Sequence, residues 1–423
     1  MRICFISRRF FPAISGMSVY ALNLIKQLVA EGHDVVMVSQ YRNDSAGAAV
    51  YGGGPPPHVP GVTIVGLESH GEQVVGEGQP ADFEADIDAI VAAVRREHDR
   101  QPFDVIHAQY GYPTGLAAME ASRQLNVPNV VSIQGGDGHW VGTCCTTHRD
   151  AMRAVLGHAG EVLIGSRSFA REVHENHGVA MDRFTIIPGA TDTDRFRPSP
   201  DRGIGDLSDP PTFIYHGRVD ARKGLLEMVD AMGLVHRTLP AARMIVSGIG
   251  PDSDAVADYA REKGLNDVIE FLGYTQYDAA PSIYHRGDVF VSPTYSEGFS
   301  NTILEAMASG LPVVSTETVG VVDCLTHSEN GLMVPVKQIE PLADAMIEMI
   351  QNDALRRRIA QAGHRDVHEK WSWPVIGSRI TESYHRVIDA EIDTAWTDIY
   401  DPSEITVATA DGDCRFRAQP HLL

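Results

Sequence analysis

Four charged side chains, in two short stretches, have the types and spacing to hold an anionic, hydroxyl-rich molecule. Arg218 and Lys223 lie in GRVDARKG, residues 217–224, between the apolar run TFIYH and a helical pattern. Arginine offers a planar fork matched to phosphate oxygens and lysine a mobile point charge, so the two can neutralise a diphosphate leaving group. Flanking Gly217 and Gly224 favour a shaped loop over two solvated surface cations. Glu297 and Glu305 lie in SPTYSEGFSNTILEAMASGLPVVST, residues 292–316, which reads as strand end, glycine turn, short helix and second strand. Ser300 can cap that helix through its side-chain oxygen, and Gly310 with Pro312 closes it. Ile303, Leu304 and Met307 share one side, while Asn301, Thr302, Glu305 and Ser309 share the other, so Glu305 is expected to face a cleft or water. Free amides at a helix start suit an anion, and carboxylates accept hydroxyl protons. Two solvated surface glutamates are the alternative reading, since carboxylates are mostly exposed.

The elements that would position these groups repeat as strand and helix. Met1–Ser7 is an apolar strand, Val19–Glu31 an amphipathic helix and Asp34–Ser39 a buried strand, which is a βαβ unit and implies a parallel sheet. Gly16, in the loop entering that helix, has no Cβ to keep a phosphate from the backbone. The G-x-G-x-x-G fingerprint is missing there, which disfavours a dehydrogenase. Residues 43–82, rich in Gly and Pro, read as a long connection with one short strand at 62–67. A helix over 82–98, the strand 104–108, another helix and the strand 128–133 follow, then the loop QGGDGHWVGTCCTTHRD.

His107, Gln109, Tyr110, Gln134, Asp137, His139 and His148 fall where these strands end, the edge at which open α/β sheets bind ligands. They make a candidate acceptor site. His139, Cys144, Cys145 and His148 invite a zinc reading, but their spacing fits no closed zinc module, and no metal is expected. Asp192-Thr193-Asp194 matches a metal–diphosphate D-x-D pattern, as Asp86/Asp88 and Asp252/Asp254 do by chance. PSPDRGIGDLSDPP then reads as an inter-domain linker. A second strand–helix series runs from Thr212, with GIGP (Gly250) and GYTQ (Tyr274, Thr275) at its strand ends. Trp-Ser-Trp-Pro at 371–374 opens a last helix that can return to the first domain, and the tail from Thr394 looks irregular.

Length and composition bound the possibilities. A chain of 423 residues exceeds one core and implies two domains. Apolar and charged contents of 43% and 22% are those of a globular protein, and no run approaches a membrane span. A formal charge of −21 argues against nucleic acid and anionic lipid as partners. Five scattered cysteines fit a reducing cytoplasm rather than a disulfide framework.

Taken together, GRVDARKG, GIGP, FLGYT, the Glu297/Glu305 pair and ENG at 329–331 stand in the order and spacing of glycosyltransferase family four, which the chain resembles from Met1 to about residue 390. The resemblance implies the GT-B fold: α/β, two Rossmann-like doubly wound domains facing each other across a cleft. Expected boundaries are 1–197 for the acceptor domain, 212–370 for the nucleotide-sugar domain, 371–392 for a returning helix and 393–423 for an irregular tail. It implies a retaining, metal-independent transfer from a nucleotide sugar, a UDP-sugar first, to a hydroxyl of a small polar acceptor. Natural-product intermediates of the aminocyclitol kind are one candidate acceptor. By resemblance, Arg218 and Lys223 bind the diphosphate and Glu305 the ribose. Glu297 meets the sugar hydroxyls, with Asp137 a further catalytic candidate. Gly298, Phe299, Ser300, Asn301, Thr302, Gly16 and Gly250 join the donor site, and Tyr274 and Thr275 border the base. The nucleotide sugar is a co-substrate, and no cofactor is implied. Gln134 stands where the family usually has His. A GT-B epimerase or phosphorylase and a non-catalytic nucleotide-sugar binder remain as alternatives, separable by free altered sugar, cofactor absorbance or binding without turnover. Donor sugar, acceptor and oligomeric state stay open.

Overall fold

The structure is a computed structural model that describes residues 1–43, 52–71, 82–143 and 145–400. Its contacts divide the chain into two units, Met1–Pro188 together with the chain from Ile376, and Gly189–Val375.

The first unit contains β1 (Arg2–Ser7), α1 (Gly16–Ala30), β2 (Asp34–Tyr41), β3 (Val62–Glu68), α2 (Phe83–Arg100), β4 (Val105–Gln109), α3 (Leu116–Leu125), β5 (Asn129–Ile133), α4 (Gly136–His139), α5 (Thr146–His158), β6 (Glu161–Ile164), α6 (Arg167–His177) and β7 (Phe184–Ile186). Its sheet has the order β3-β2-β1-β4-β5-β6-β7, with parallel pairing throughout. All five residues of β4 and of β5 are buried, as expected of central parallel strands covered on both faces. Ser15 and Asp82 start α1 and α2 by accepting the amides of Ser18 and Ala85 at 3.2 and 3.0 Å. α1 therefore begins three residues before the expected Val19.

The second unit contains β8 (Thr212–His216), α7 (Leu225–Thr238), β9 (Arg243–Ser247), α8 (Ser253–Glu262), β10 (Ile269–Gly273), α9 (Ala280–Tyr284), β11 (Val289–Ser292), α10 (Asn301–Ala308), β12 (Val313–Thr316), β13 (Leu332–Val334), α11 (Ile339–Gln351) and α12 (Asp353–Lys370). Its sheet order is β10-β9-β8-β11-β12-β13, again parallel. Two apolar clusters, one around Met228, Val246 and Met346 and one around Phe290, Leu304 and Tyr284, cover its faces.

Residues 198–211, expected to be a linker, instead pack on the second unit. Asp288, fully buried just before β11, accepts the amides of Ser208 and Thr212 at 2.9 and 2.6 Å, the Ser208 hydroxyl at 2.6 Å and the Arg202 guanidinium. Pro and Gly described a bent chain there, and one buried carboxylate turns it into a fixed strap. The last helix, α13 (Trp373–Val387), joins the first unit from Ile376 on. Arg379 bonds the Ile186 carbonyl at 2.6 Å and Thr381 bonds Glu31 at 2.7 Å. Trp396, from the stretch expected to be irregular, is buried in a single turn, and Asp393 meets His158 at 2.7 Å. The parts of the 43–82 connection at 44–51 and 72–81, Cys144 and the tail from 401 lie outside the described residues.

Candidate active site

In the second sheet the order reverses between β8 and β11, and the connections on either side leave a crevice at their carboxyl ends. The loops after these two strands are joined there. Lys223 Nζ meets Glu297 Oε1 at 2.6 Å, both side chains being about four-fifths covered. The amide of Tyr295 bonds the Arg222 carbonyl at 2.8 Å, and a Cβ on Gly224, at φ +67°, would stand 2.1 Å from the Pro293 carbonyl oxygen. Arg218 Nε lies 3.3 Å from Asp220 Oδ2. Burial would raise the Asp220 carboxyl, but Arg222, Arg218 and Lys223 outweigh it and hold the group below its ordinary value. Three cations, Arg218, Arg222 and Lys223, and two carboxylates thus share one corner. Asp220 was not among the expected site residues, and its place between Arg218 and Lys223 in GRVDARKG was the available signal.

Neighbouring loops are laced to this corner through glycine. A Cβ on Gly248 would come 1.8 Å from the Gly217 oxygen, and one on Gly250 2.0 Å from the Val219 oxygen. Gly250 is therefore required by backbone packing, whatever it does for a ligand. Thr275 bonds Ser247 at 2.8 Å, and Ser247 bonds the His216 ring at 3.0 Å, while the Tyr274 side chain is exposed. Burial lowers His216 to about 4, so its ring is neutral.

The helix α10 departs from expectation in two ways. Ser300 occupies the N-cap position but makes no side-chain cap bond; its hydroxyl lies 3.4 Å from that of Thr302. Glu305 faces neither water nor an open side. It is 8% exposed and accepts the Tyr284 hydroxyl at 2.6 Å, and burial raises its carboxyl to about 7 against the pull of Tyr284 and Arg195. The helix is so short that Ile303 through Ser309 are all buried, which overrides the two-sided pattern. Phe299 packs edge-on to Trp371, 6.1 Å between ring centres, and Gly189 makes room for Phe299 and Asn301. Gly298 lies in the same loop, between Glu297 and Phe299.

The first unit presents a second cluster at the equivalent reversal, between β1 and β4. Gln109 accepts the Ser7 hydroxyl at 2.8 Å and donates to the Met17 carbonyl at 3.0 Å and to Gln134 Oε1 at 2.7 Å. Tyr110, buried at φ +89°, has the Arg8 guanidinium 5.1 Å from its ring centre. A Cβ on Gly16 would meet nothing within 4 Å, so that position is open.

Two expectations for this unit are corrected. His107 is not at the strand end: it is fully buried in mid-strand, its two nitrogens 2.7 Å from Tyr384 and Ser132, and burial lowers it to about 3. It cannot meet an acceptor. Asp137 is fully buried, and its carboxylate accepts the amides of Gly111 (2.9 Å), Gln134 (3.1 Å) and Gly135 (2.8 Å). Burial pushes its carboxyl up against those bonds, and it pins two loops rather than reaching a substrate. The His139 ring bonds Glu172 at 2.7 Å beside the Phe169 ring, and its amide bonds the Gly135 carbonyl at 2.9 Å. His148 Nδ1 lies 3.0 Å from Cys145 Sγ. Asp192 accepts the amides of Asp194 and Arg195 at 3.1 and 3.0 Å, which makes the D-x-D a turn.

Two doubly wound parallel sheets, each with its reversal point lined by polar loops, define a GT-B glycosyltransferase. The chain belongs to the group 1 glycosyltransferases: the family model described as glycosyl transferases group 1 matches residues 201–366, and the glycosyl transferase 4-like domain matches residues 15–190. It is 24% identical to a glycogen synthase of Mycobacterium tuberculosis over 91% of this chain and 94% of that protein. Its fold is that of sucrose-phosphate synthase from Thermosynechococcus elongatus (TM-score 0.75, 22% identity, 92% of this chain and 100% of that one). It is also that of Anabaena HepE, solved in complex with UDP and glucose (TM-score 0.70, 16% identity, 90% and 99%). Among the described residues, no helix is long and apolar enough to cross a membrane.

Proposed function

We propose that this glycosyltransferase moves a sugar from a nucleotide sugar, a UDP-sugar first, to a hydroxyl of a small polar acceptor, with retention and without a metal. The reading is carried by the ion pair of Lys223 and Glu297 at the β8/β11 reversal, with Arg218 beside it. An ammonium has three donors, so Lys223 can keep Glu297 and still serve phosphate oxygens. As the glycosyl–phosphate bond breaks, charge grows on the diphosphate, and Lys223 and Arg218 stand preorganised to stabilise it. Glu297, held on one oxygen, can accept hydroxyl protons of the sugar with the other. Glu305 is the candidate for the ribose hydroxyls. The UDP preference is supported by the UDP seen in HepE. On the acceptor side, the buried Gln109 holds the side-chain oxygen of the half-buried Gln134, whose amide nitrogen can then meet a hydroxyl.

Retention is read as same-face attack, the departing phosphate taking the acceptor proton. The test is a panel of nucleotide sugars scored by thermal shift and by slow donor hydrolysis, then by mass spectrometry with acceptors. A response confined to one nucleotide class is expected. No response to any nucleotide or nucleotide sugar overturns the reading.

A further inference from the structure

Tyr284 has no part in the chemistry just described, yet it is the residue in direct contact with Glu305. It ends α9, is fully buried, and donates its hydroxyl to Glu305 Oε2 at 2.6 Å. Its ring is held from three sides, 5.6 Å from Phe196, 5.5 Å from His216 and 5.8 Å from Phe290, centre to centre. These partners leave the phenol little freedom to turn away. The other carboxylate oxygen, Oε1, takes no hydrogen bond from the described residues.

The surroundings of the pair are otherwise poor in charge. Among the described residues Arg195, in the turn that precedes the strap, is the one cation whose field acts on Glu305, and its guanidinium lies over Tyr277, 3.8 Å from the ring centre. His216, at the end of β8, is neutral. β11 contributes Phe290, and α12 contributes Gly363 against Met307 of α10.

We propose that Tyr284 is a positioning residue for the donor: its hydroxyl fixes one oxygen of Glu305 and favours the anion, so that the other oxygen accepts donor hydroxyls. This rests on the reading of α10 as part of the nucleotide-sugar site. The consequence is a pH signature. Glu305 changes charge near 7 because burial raises it. Below that pH it carries a proton and competes with hydroxyls as a donor, so affinity for a nucleotide sugar falls as pH falls from 8 to 6. Removing the phenol removes a bond that is stronger to the anion than to the acid, and the acid limb moves upward by about one pH unit.

The experiment measures Kd for UDP-glucose and GDP-mannose, and their hydrolysis rates, from pH 6 to 9 in the parent, Tyr284→Phe and Glu305→Gln. For whichever donor binds, Tyr284→Phe should weaken affinity about tenfold at pH 7 and less than about threefold at pH 9, with the hydrolysis rate at saturation within about twofold. Glu305→Gln should weaken it at every pH and flatten the profile. An equal penalty at all pH values means that Tyr284 only fills space and overturns the proposal, as does an unchanged affinity. A flat parent profile overturns it without any variant, which covers a Tyr284→Phe protein that does not fold. If Glu305→Gln binds as the parent does, the assignment of α10 itself fails. If Glu305→Gln is impaired and Tyr284→Phe is not, only the positioning role fails.

Discussion

The two sheets reverse their strand order in the same way, yet the chemistry gathered at the two reversal points differs. Between β8 and β11 the loops bring together Lys223, Glu297, Arg218 and Asp220, all charged. Between β1 and β4 they join the neutral side chains of Ser7, Gln109 and Gln134, while Arg8 lies over the Tyr110 ring and Asp137 takes backbone amides. A topological crevice is thus a place for a ligand, and the loop residues alone decide its kind. Charges suit a diphosphate whose charge grows during reaction, while amides suit neutral hydroxyls that must be oriented without being held too tightly. Gly248 and Gly250 are forced by backbone approach in the charged unit, and Gly16 of the neutral one faces open space.

The sharpest way to break this contrast is Lys223→Ala, which should lower kcat/KM on the order of 100-fold because a preorganised charge is lost and Glu297 is left unpaired. Near-normal steady-state rates would remove the diphosphate assignment. Next comes stability. Gly248→Ala should lose about 2 kcal/mol or more in denaturant unfolding, since its Cβ would meet the Gly217 oxygen at 1.8 Å, whereas Gly16→Ala should change stability by less than about 0.5 kcal/mol.

The buried histidine of the first sheet gives a pH test. His107 in the folded chain binds a proton only near 3, against about 6.5 unfolded, so the unfolded state takes up more protons below 6.5. Its contribution to stability is full above that pH and falls as pH drops toward 3. The difference in unfolding free energy between pH 7 and pH 5 should be about 2 kcal/mol smaller in His107→Gln than in the parent. The smallest effect is expected at the neutral corner: Gln109→Leu should raise the acceptor KM about tenfold while leaving donor Kd within about twofold. A change in donor binding of the same size would erase the distinction between the two corners.

Much of this architecture is legible in the order of residues. Apolar runs of four to six residues between helical patterns mark the parallel strands, because burial on both faces leaves a continuous apolar signature. GRVDARKG marks the cation loop, since glycine and charge coincide after a strand. What failed was consistently a matter of enclosure. His107, Asp137 and Glu305 carry the residue types of a site, and sequence could not say that Tyr384, three backbone amides and Tyr284 respectively surround them. The strap at 198–211 failed for the same reason, its fixing carboxylate, Asp288, being 80 residues away from Ser208.

By itself, then, the chain's order of residues determined its local elements, their parallel pairing and the presence of a cation loop and two acidic groups. Those follow from periodicity and from near neighbours, which act over a few residues. Tertiary structure alone decided that Lys223 meets Glu297 across 74 positions, that Glu305 and His107 are enclosed and that the buried Gln109 pairs with Gln134. The physical reason is that burial and pairing depend on which strands lie side by side, and strand order is set by packing the whole sheet at once.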